Sequence, residues 1–352
     1  MAVYTTIDNP ELYFQSVLWT GTGSSNAITL GGSEDMSPNL VWGKSRSNAT
    51  SPAIHDSVRG ATEEIYTSSN AAEGDYNETL KSFDSDGFTV GTDNGWNGSS
   101  RTFVAWCWKA GTTSGISGSP SITPAGYSFN ADSGFSIVKW TGTGANATIP
   151  HGLGTASIGM VIIKNLDGGH WAVYHHKNTS APETDYLKLS TNAATTDDNT
   201  WWNDTAPTST LVNLGSYDEV NKNTENMVAY IFAEKQGFSK FGSYTGNGNA
   251  EGTHVYTGFR PAWLLVKKTD GTEGWFLMDS KMGRTFNPVK NFLRPNGTNA
   301  EDTSNEWCDF TANGFKWRRT DGLQNGSGNA YIYAAFAEAP FVNSKGVPGN
   351  AR

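Results

Sequence analysis

The sequence WTGTG occupies residues 19–23 and occurs again at residues 140–144, and a close variant, YTGNG, occupies residues 244–248. A phosphate-binding loop of the P-loop type needs a Lys-Ser or Lys-Thr pair after its glycines and a helix whose N-terminus faces the anion. That pair follows none of the three copies. We therefore interpret the pentapeptide as a turn that marks the start of a repeated structural unit.

Two further sequence markers follow each pentapeptide in the same order. The first is an apolar run that ends in lysine: LVWGK (40–44), MVIIK (160–164) and WLLVK (263–267). The second begins with asparagine and aligns without a gap: NGSSRTFVAWCW (97–108), NKNTENMVAYIF (221–232) and NGSGNAYIYAAF (325–336). Three markers in one order at nearly constant spacing indicate tandem repeats. The sequence therefore predicts three units of similar structure.

The composition favours strands over helices. Glycine is frequent at 40 residues and aromatic residues make up 12% of the chain, whereas charged residues make up only 17%. Helix surfaces usually need more Glu, Lys and Arg than that, and short strands joined by tight turns do not. The asparagine marker is apolar on both faces of a strand, as expected in the middle of a domain, and the lysine-ended run predicts a second inner strand whose lysine reaches the rim. We predict an all-β fold of three tandem β-sandwich (jelly-roll-like) domains with a short N-terminal helix or arm.

The segments between the markers set the predicted boundaries. Residues 112–126 consist mostly of Gly, Ser, Thr and Pro, which is typical of a flexible linker, so the first unit should move relative to the other two. Asn9 before Pro10 predicts the cap of one short helix. The predicted segments are an N-terminal arm (1–16), unit 1 (17–111), a Gly/Ser/Pro linker (112–134), unit 2 (135–237), unit 3 (238–340) and a C-terminal tail (341–352).

Charge and cysteine usage narrow the classes of partner. The formal net charge of −9 and the pI near 5.2 argue against nucleic acid as the partner, since phosphate-backbone binders carry a basic face. No apolar run is long enough for a membrane helix, and the first residues lack the features of a signal peptide, so we expect no membrane insertion. Cys107 and Cys308 lie far apart without a CxxC partner, so neither a disulfide framework nor a zinc site is indicated. We predict no cofactor and no bound metal.

Candidate catalytic groups do not form a convincing set. Glu234 and Glu338 resemble the paired carboxylates of glycosidases, but they occupy equivalent places in two different units, where unit 1 has Ala110. The histidines of HWAVYHH (170–176) alternate between the two faces of a strand and cannot all reach one metal. We therefore predict that the protein is not an enzyme.

Tryptophans in polar surroundings suggest a sugar-binding surface. Aromatic rings stack on the apolar C–H patches of pyranoses, and Asn and Asp beside them bind the hydroxyl groups. The segments DNGWNGSS and NTWWND have this character. Packing within a turn or an interface is the alternative interpretation of both segments. The predicted ligand-binding residues are Trp96, Asn97, Trp202, Asn203 and Asp204.

The combination of FVAWCWKAG, VAYIFAEKQGFSKFGSYTGNG, VYTGFRPAWLLVKKTD and YIYAAFAEAPF, near a C-terminal VPGNAR, resembles a family of virion proteins from marine and cyanobacterial tailed bacteriophages. That family is described as tail-fibre-like or otherwise structural, with a repeated domain of unknown function. The resemblance covers nearly the whole chain. It implies a protein of the virion, assembled in the host cytoplasm without a signal peptide, with other virion proteins as partners and no catalytic residues to transfer.

Two functional hypotheses follow. The first is a tail-fibre or receptor-binding component, forming a homotrimer and contacting host surface polysaccharide through loops at one end of the sandwiches. The second is a decoration or cement protein that holds to the capsid or tail by its N-terminal segment and binds no host molecule. The polar loops that contain tryptophan favour the first hypothesis. The absence of a recognisable shaft in the sequence favours the second.

Overall fold

A computed structural model describes residues 4–155, 157–284 and 286–349. The fold is all-β, as predicted: antiparallel sheets contain nearly all of the regular secondary structure of the described residues, and the helices there are single turns. Within the described residues, no helix has both the length and the apolar character needed to cross a membrane.

Unit 1 forms a six-stranded sheet in the order β1-β9-β3-β4-β5-β6 and a small sheet in the order β2-β8-β7. A 3₁₀ helix, Pro10–Leu12, precedes it, and Asn9 caps this helix by accepting a hydrogen bond from the Glu11 amide, as predicted. The elements are β1 (Phe14–Thr20), β2 (Asn26–Thr29), β3 (Leu40–Ser45), β4 (Ala53–Asp56), β5 (Gly60–Tyr66), β6 (Gly74–Asp75), β7 (Leu80–Asp84), β8 (Gly87–Val90), α1 (Asn94–Asn97) and β9 (Thr102–Trp108).

Unit 2 and the segment before it form a seven-stranded sheet in the order β10-β11-β18-β13-β14-β15-β16 and the pair β12-β17. The elements are β10 (Gly126–Asn130), β11 (Phe135–Thr141), β12 (Ala147–Pro150), β13 (Ile158–Asn165), β14 (Ala172–His175), β15 (Asp185–Lys188), β16 (Thr196–Asp197), α2 (Asn199–Trp202), β17 (Leu211–Leu214), α3 (Asp218–Asn221) and β18 (Asn226–Ala233).

Unit 3 forms a five-stranded sheet in the order β19-β26-β21-β22-β23 and a small sheet in the order β20-β25-β24. The elements are β19 (Ser239–Thr245), β20 (His254–Tyr256), β21 (Phe259–Lys268), β22 (Phe276–Asp279), β23 (Phe292–Leu293), β24 (Cys308–Thr311), β25 (Gly314–Trp317) and β26 (Ala330–Pro340). The asparagine marker thus ends in an inner strand of each large sheet: β9 between β1 and β3, β18 between β11 and β13, and β26 between β19 and β21. We call these three the central strands.

The repeated pentapeptide is a turn that its glycines make possible. A Cβ atom at Gly21, Gly142 or Gly246 would lie 2.1 to 2.3 Å from a backbone carbonyl oxygen of the facing loop, so only glycine fits there. The second glycine of each copy has a positive φ, for example 72° at Gly23. Close backbone approach and a positive φ therefore account for the two glycines of each turn, without a bound anion.

A buried asparagine fixes each of these turns. In unit 1, the Asn97 side chain accepts a hydrogen bond from the Thr22 amide at 3.0 Å and donates to the carbonyls of Ser24 and Gly91. Asn221 and Asn325 bind their own turns in the same manner. Because the three asparagines are fully buried, their amides replace backbone pairing that the tight turn cannot supply. This explains the asparagine that starts the second marker.

Each central strand is apolar on both faces because it separates two cores. One face packs against the small sheet of its own unit, which gives each unit a core of its own. The other face contributes to a single core shared by all three units. The sequence predicts the buried strand correctly, but its second face packs against the neighbouring units.

Three aromatic rings meet at the centre of the shared core. Trp108, Phe232 and Phe336 occupy the same position of the aligned marker on the three central strands. Their ring centroids are 6.0 Å apart for Trp108 and Phe232, 5.4 Å for Trp108 and Phe336, and 5.8 Å for Phe232 and Phe336. We call these three rings the axial triad. Their nearly equal separations place them around one point, as a threefold arrangement requires.

Equivalent buried polar residues join each unit to the next. Asp56, His175 and Asp279 end the equivalent strands β4, β14 and β22, and each is buried. The bonds between units are Tyr230 Oη to Asp56 Oδ2 (2.7 Å), His175 Nε2 to the Tyr333 carbonyl (3.1 Å) and Trp106 Nε1 to Asp279 Oδ2 (3.1 Å). These bonds run from unit 1 to 2, from 2 to 3 and from 3 back to 1. Heterologous contacts that close in this way define a ring with a pseudo-threefold axis.

The repeated lysines lie inside the ring, and the prediction that they reach the rim is wrong. Lys44, Lys164 and Lys267 are buried, and their ammonium groups donate to backbone carbonyls. Lys44 also reaches the Thr298 carbonyl of unit 3, and Lys267 reaches that of Asn192 in unit 2. Burial lowers the pKa of each lysine to about 8. The position is enclosed because the next unit packs over the strand end.

The segment predicted as a linker is partly a strand. Its second half forms β10, which pairs with β11 along the edge of the unit 2 sheet, and Thr112 bridges to Phe129. Unit 1 also has buried contacts with both other units. This packing differs from the expectation of a freely moving first unit, because a shared core needs all three units in place. The exact domain boundaries stay predictions.

We predict that the three units unfold in one cooperative transition. Phe336→Ala removes a ring that packs on both other members of the axial triad, so it should lower the free energy of unfolding by about 3–5 kcal/mol. Differential scanning calorimetry should show the whole transition shifted to lower temperature. Tyr76→Ala, at a half-exposed ring of unit 1, is the control and should shift it little. Separate transitions, with only one displaced by Phe336→Ala, would contradict the shared core.

We predict an acid-sensitive interface between units 2 and 3. His175 is neutral with its proton on Nε2, because Nε2 donates to the Tyr333 carbonyl and Nδ1 accepts from the Lys177 amide. Burial lowers the pKa of His175 to about 3, whereas a histidine of the unfolded chain titrates near about 6.5. The unfolded chain therefore takes up the proton first as the pH falls. The stability from this group is complete above about pH 6.5 and is lost progressively toward pH 3.

Denaturant unfolding of the wild type and His175→Gln from pH 7.5 to 4 tests this. Below about pH 6.5 the wild type should lose up to about 1.4 kcal/mol more per pH unit than the variant, whose amide can still donate but cannot titrate. His254→Gln, at an exposed histidine, should keep the wild-type pH profile. If the free energies of unfolding of the wild type and His175→Gln changed in parallel with pH, His175 would not be the acid-sensitive group of this interface.

Candidate functional site

The tryptophans predicted to bind sugar are core residues. Trp96 is 4% exposed and donates from Nε1 to the Glu64 carboxylate at 2.5 Å, and its ring packs on His55 and over Gly43. Trp202 is 1% exposed. Neither indole ring has a face open to solvent, so the prediction that these rings stack on a sugar is wrong for this fold. Packing, the alternative interpretation, accounts for both.

The polar residues predicted beside those tryptophans also have structural roles. Asn97 is buried and fixes the turn at Thr22. Asn203 and Asp204 are exposed and have positive φ values of 54° and 45°, because they end the helical turn α2. The Asn203 side chain accepts a hydrogen bond from Asn146 at 2.5 Å. These three residues therefore have roles in forming turns rather than in flanking an exposed tryptophan.

The carboxylates singled out as a candidate pair have separate partners. Glu234 accepts a hydrogen bond from Lys240 at 2.5 Å, and Glu338 binds Arg260 at 3.2 Å. The histidine cluster is likewise divided: His175 binds the Tyr333 carbonyl and His176 binds that of Phe241. Among the described residues, no group of three or more His, Cys, Asp or Glu side chains is placed to hold a metal ion.

A surface cleft of about 660 Å³ opens in unit 2 at the start of α3. We call it the Tyr217 cleft, and its lining includes Asn165, Asp167, Tyr217, Asp218, Lys222 and Glu225. Its volume lies within the usual range for small-ligand sites. The lining is largely polar, with Tyr217 as its aromatic member.

Tyr217 lies at the end of a stack of three aromatic rings. Its ring centroid is 4.7 Å from that of Trp201, and the planes differ by 20°. Trp201 stacks in turn on Tyr186 at 3.6 Å, with the planes nearly parallel. Trp201 is buried, whereas Tyr217 is 37% exposed. One face of the Tyr217 ring is thus supported from below, which leaves the opposite face available to a ligand.

Tyr217 replaces a residue that caps a helical turn in the other units. The equivalent position, four residues before the repeated asparagine, is Asp93 in unit 1 and Asp321 in unit 3. Both aspartates accept a backbone amide, from Gly95 at 2.7 Å and from Leu323 at 2.9 Å. Tyr217 makes no such bond to α3. Unit 2 therefore has an aromatic ring where its two relatives have a stabilising cap.

Ion pairs hold the charged groups at the rim of the cleft. The Lys222 ammonium lies 2.8 Å from Glu225 and 4.0 Å from Asp218. The hydrogen bonds from Lys222 and Asn165 lower the pKa of the Glu225 carboxyl, and the same contact with Glu225 raises the pKa of Lys222. Asp218 is largely exposed, with 70% of its side chain accessible. Carboxylate oxygens are thus presented to solvent beside the Tyr217 ring.

Tyr217 is not evident from its local sequence, because the residues there do not form a tryptophan-containing polar segment like those at Trp96 and Trp202. The available signal was the comparison of the three aligned units, in which an aspartate changes to tyrosine at one position. A departure from an internal repeat that gives up a stabilising bond indicates a position with another role.

The family model described as "Domain of unknown function (DUF7483)" matches residues 9–340 of the chain. The match includes all three units and the 3₁₀ helix before them. No curated protein and no solved structure is significantly similar to the chain.

We predict that an asparagine at position 217 restores the missing cap. Tyr217→Ala and Tyr217→Asn both remove the phenol ring that stacks on Trp201. Of the two new side chains, only asparagine can accept a hydrogen bond from the first turn of α3. Tyr217→Asn should therefore be more stable than Tyr217→Ala by about 1 kcal/mol. Chemical denaturation of both variants measures the difference. Equal stabilities would mean that the backbone at Tyr217 cannot act as a cap position.

Proposed function

The chain belongs to this family of domains of unknown function, and we propose that it is a structural protein of a bacteriophage virion, a tail-fibre or receptor-binding component that contacts glycan on the host surface. The resemblance of its repeated motifs to tailed-phage virion proteins supports the setting. The Tyr217 cleft supports the contact with glycan. Other virion proteins are its expected partners in the particle.

The single observation that carries the glycan contact is the supported ring of Tyr217. A ring with one packed face and one open face beside carboxylate and amide groups is suited to the C–H face and the hydroxyl groups of a pyranose. The stack on Trp201 keeps this ring in place before a ligand arrives, which lowers the entropic cost of binding. In this proposal the Tyr217 ring, instead of Trp96 and Trp202, stacks on the sugar.

The closed ring of units supports a compact head better than a shaft. Three β-sandwich-like units around one axis give a single chain the pseudo-threefold arrangement that three identical chains would form as a cyclic trimer. The homotrimer stays a prediction. If it forms, it must use surfaces outside the shared core, because the contacts along the pseudo-threefold axis are already made within one chain.

A decoration protein is the second candidate, and the N-terminal arm favours it. Tyr4 and Tyr256 are 57% and 60% exposed, and both line a cleft of about 540 Å³ between the arm and units 2 and 3. The arm itself is fixed, since the Thr5 hydroxyl donates to the Gln236 carbonyl at 2.9 Å and Ile7 is buried. Two exposed aromatic rings that line one cleft suit attachment to another protein of the particle.

Binding of the labelled protein to intact host bacteria distinguishes the two candidates. For a receptor-binding component we expect saturable binding that isolated host polysaccharide displaces. Tyr217→Ala should weaken this binding about fivefold to tenfold, because the stacking contact contributes about 1–1.4 kcal/mol. Tyr256→Ala is the matched control, an exposed tyrosine at the other cleft, and should bind host cells as the wild type does.

The decoration hypothesis makes the opposite prediction with the same proteins. The folded wild type would then fail to bind host bacteria and would bind virus particles that lack it. Tyr256→Ala would weaken binding to those particles, whereas Tyr217→Ala would not. That pattern would overturn the receptor-binding proposal.

A further inference from the structure

We infer that the Tyr217 cleft binds a single pyranose residue without an acidic group, neutral or amine-bearing, and discriminates against uronic and sialic acids. This inference rests on the proposed function and names the sugar class that the same cleft would accept. It follows from the charge around the ring, from the state of the nearby lysines and from the differences among the three units.

The ring defines where the sugar would lie. Tyr217 is the aromatic residue of the cleft lining, and its packed face is closed by Trp201. A pyranose on the open face would have its ring hydroxyls directed toward the rim, where Asp167, Asp218 and Glu225 lie. Carboxylates accept hydrogen bonds from hydroxyl and ammonium groups but cannot donate to another carboxylate.

The charge of the lining opposes an acidic sugar. Glu219 adds a fourth carboxylate to the three at the rim, and Lys222 is the cation of the lining. Lys222 already lies against Glu225 and Asp218. A carboxylate ligand would therefore approach a lining with four carboxylates and one ammonium group that is already paired, and an excess of like charge in a binding site is unfavourable.

The neighbouring lysines have other partners as well. Lys188 lies 3.7 Å from Glu219, and its ammonium group is 5.3 Å from the Trp201 ring centroid. Lys164 donates to the Gly169 carbonyl at 2.6 Å beneath the cleft. An acidic sugar would have to break one of these contacts to obtain a counter-charge. A neutral or amine-bearing sugar needs no such rearrangement.

The site exists once per chain. Units 1 and 3 have Asp93 and Asp321 in place of Tyr217, and both aspartates are engaged as caps. The stacked tyrosine is therefore not repeated in units 1 and 3. The expected stoichiometry is one sugar-binding site for each chain.

Titration of the purified full-length protein with a panel of oligosaccharides tests the inference without host cells. The panel contains a neutral hexose oligomer, a glucosamine oligomer with free amines, a glucuronate-containing oligomer and a sialylated oligomer. Isothermal titration calorimetry should give one site per chain for the first two. The two acidic oligomers should bind at least about tenfold more weakly than the other two at low salt. This difference in affinity should become smaller at higher salt, because salt screens the carboxylates.

Two variants separate stacking from charge. Tyr217→Ala should weaken every sugar that binds by about the same factor, since it removes only the ring. Asp218→Asn, at a largely exposed carboxylate, keeps an oxygen that can accept from a sugar hydroxyl but loses the negative charge, so it should lower the ratio of neutral to acidic sugar affinity several-fold. Saturation-transfer NMR should place the strongest contact on the C–H face of the sugar.

Each outcome bears on a different claim. Tighter binding of the acidic oligomers through Tyr217 would overturn the inferred sugar class while leaving the glycan contact in place. Three sites per chain, or binding unaffected by Tyr217→Ala, would overturn the assignment to this cleft. No binding of any sugar at millimolar concentration would overturn both the inference and the glycan contact, and would leave the virion structural role to the particle-binding experiment.

Discussion

The contact among Trp108, Phe232 and Phe336 is the constraint on which the rest of the molecule depends. Each ring belongs to a different unit, and each lies on the one strand that also supports the core of its own unit. Large aromatic side chains contribute heavily to core stability, so the units associate where burial is most favourable. With the rings in place, the polar contacts at Asp56, His175 and Asp279 are enclosed and set the rotation of each unit relative to the next.

Much of the fold can be predicted from the sequence because local constraints repeat three times. The glycines of WTGTG, the buried asparagines and the strands apolar on both faces each have a steric or solvation cause that acts within one unit. The association of the units depends on contacts between residues more than a hundred positions apart, such as Tyr230 with Asp56. The burial of Lys44 was missed for the same reason, since its cover comes from unit 3.

The candidate site was harder to predict, and the reason is visible at Trp96. A tryptophan among Asn, Gly and Ser resembles an exposed platform, yet the indole fills the space above Gly43 and binds a buried glutamate. Small neighbours in sequence allowed the ring to turn inward. Tyr217 has a less distinctive local sequence, and only its supporting stack and its lost cap identify it. Comparison among internal copies is therefore more informative here than composition near an aromatic residue.

The three bonds between units are chemically different: tyrosine with aspartate, histidine with a carbonyl, and tryptophan with aspartate. Three segments that align in sequence are thus complementary parts with a fixed order. A gene that lost or gained a copy, or exchanged two of them, would place the wrong groups face to face inside a dry core. The interfaces between units thus tie each copy to its place in the order, whereas a single position on an outer loop, such as Tyr217, differs among the copies without touching those interfaces.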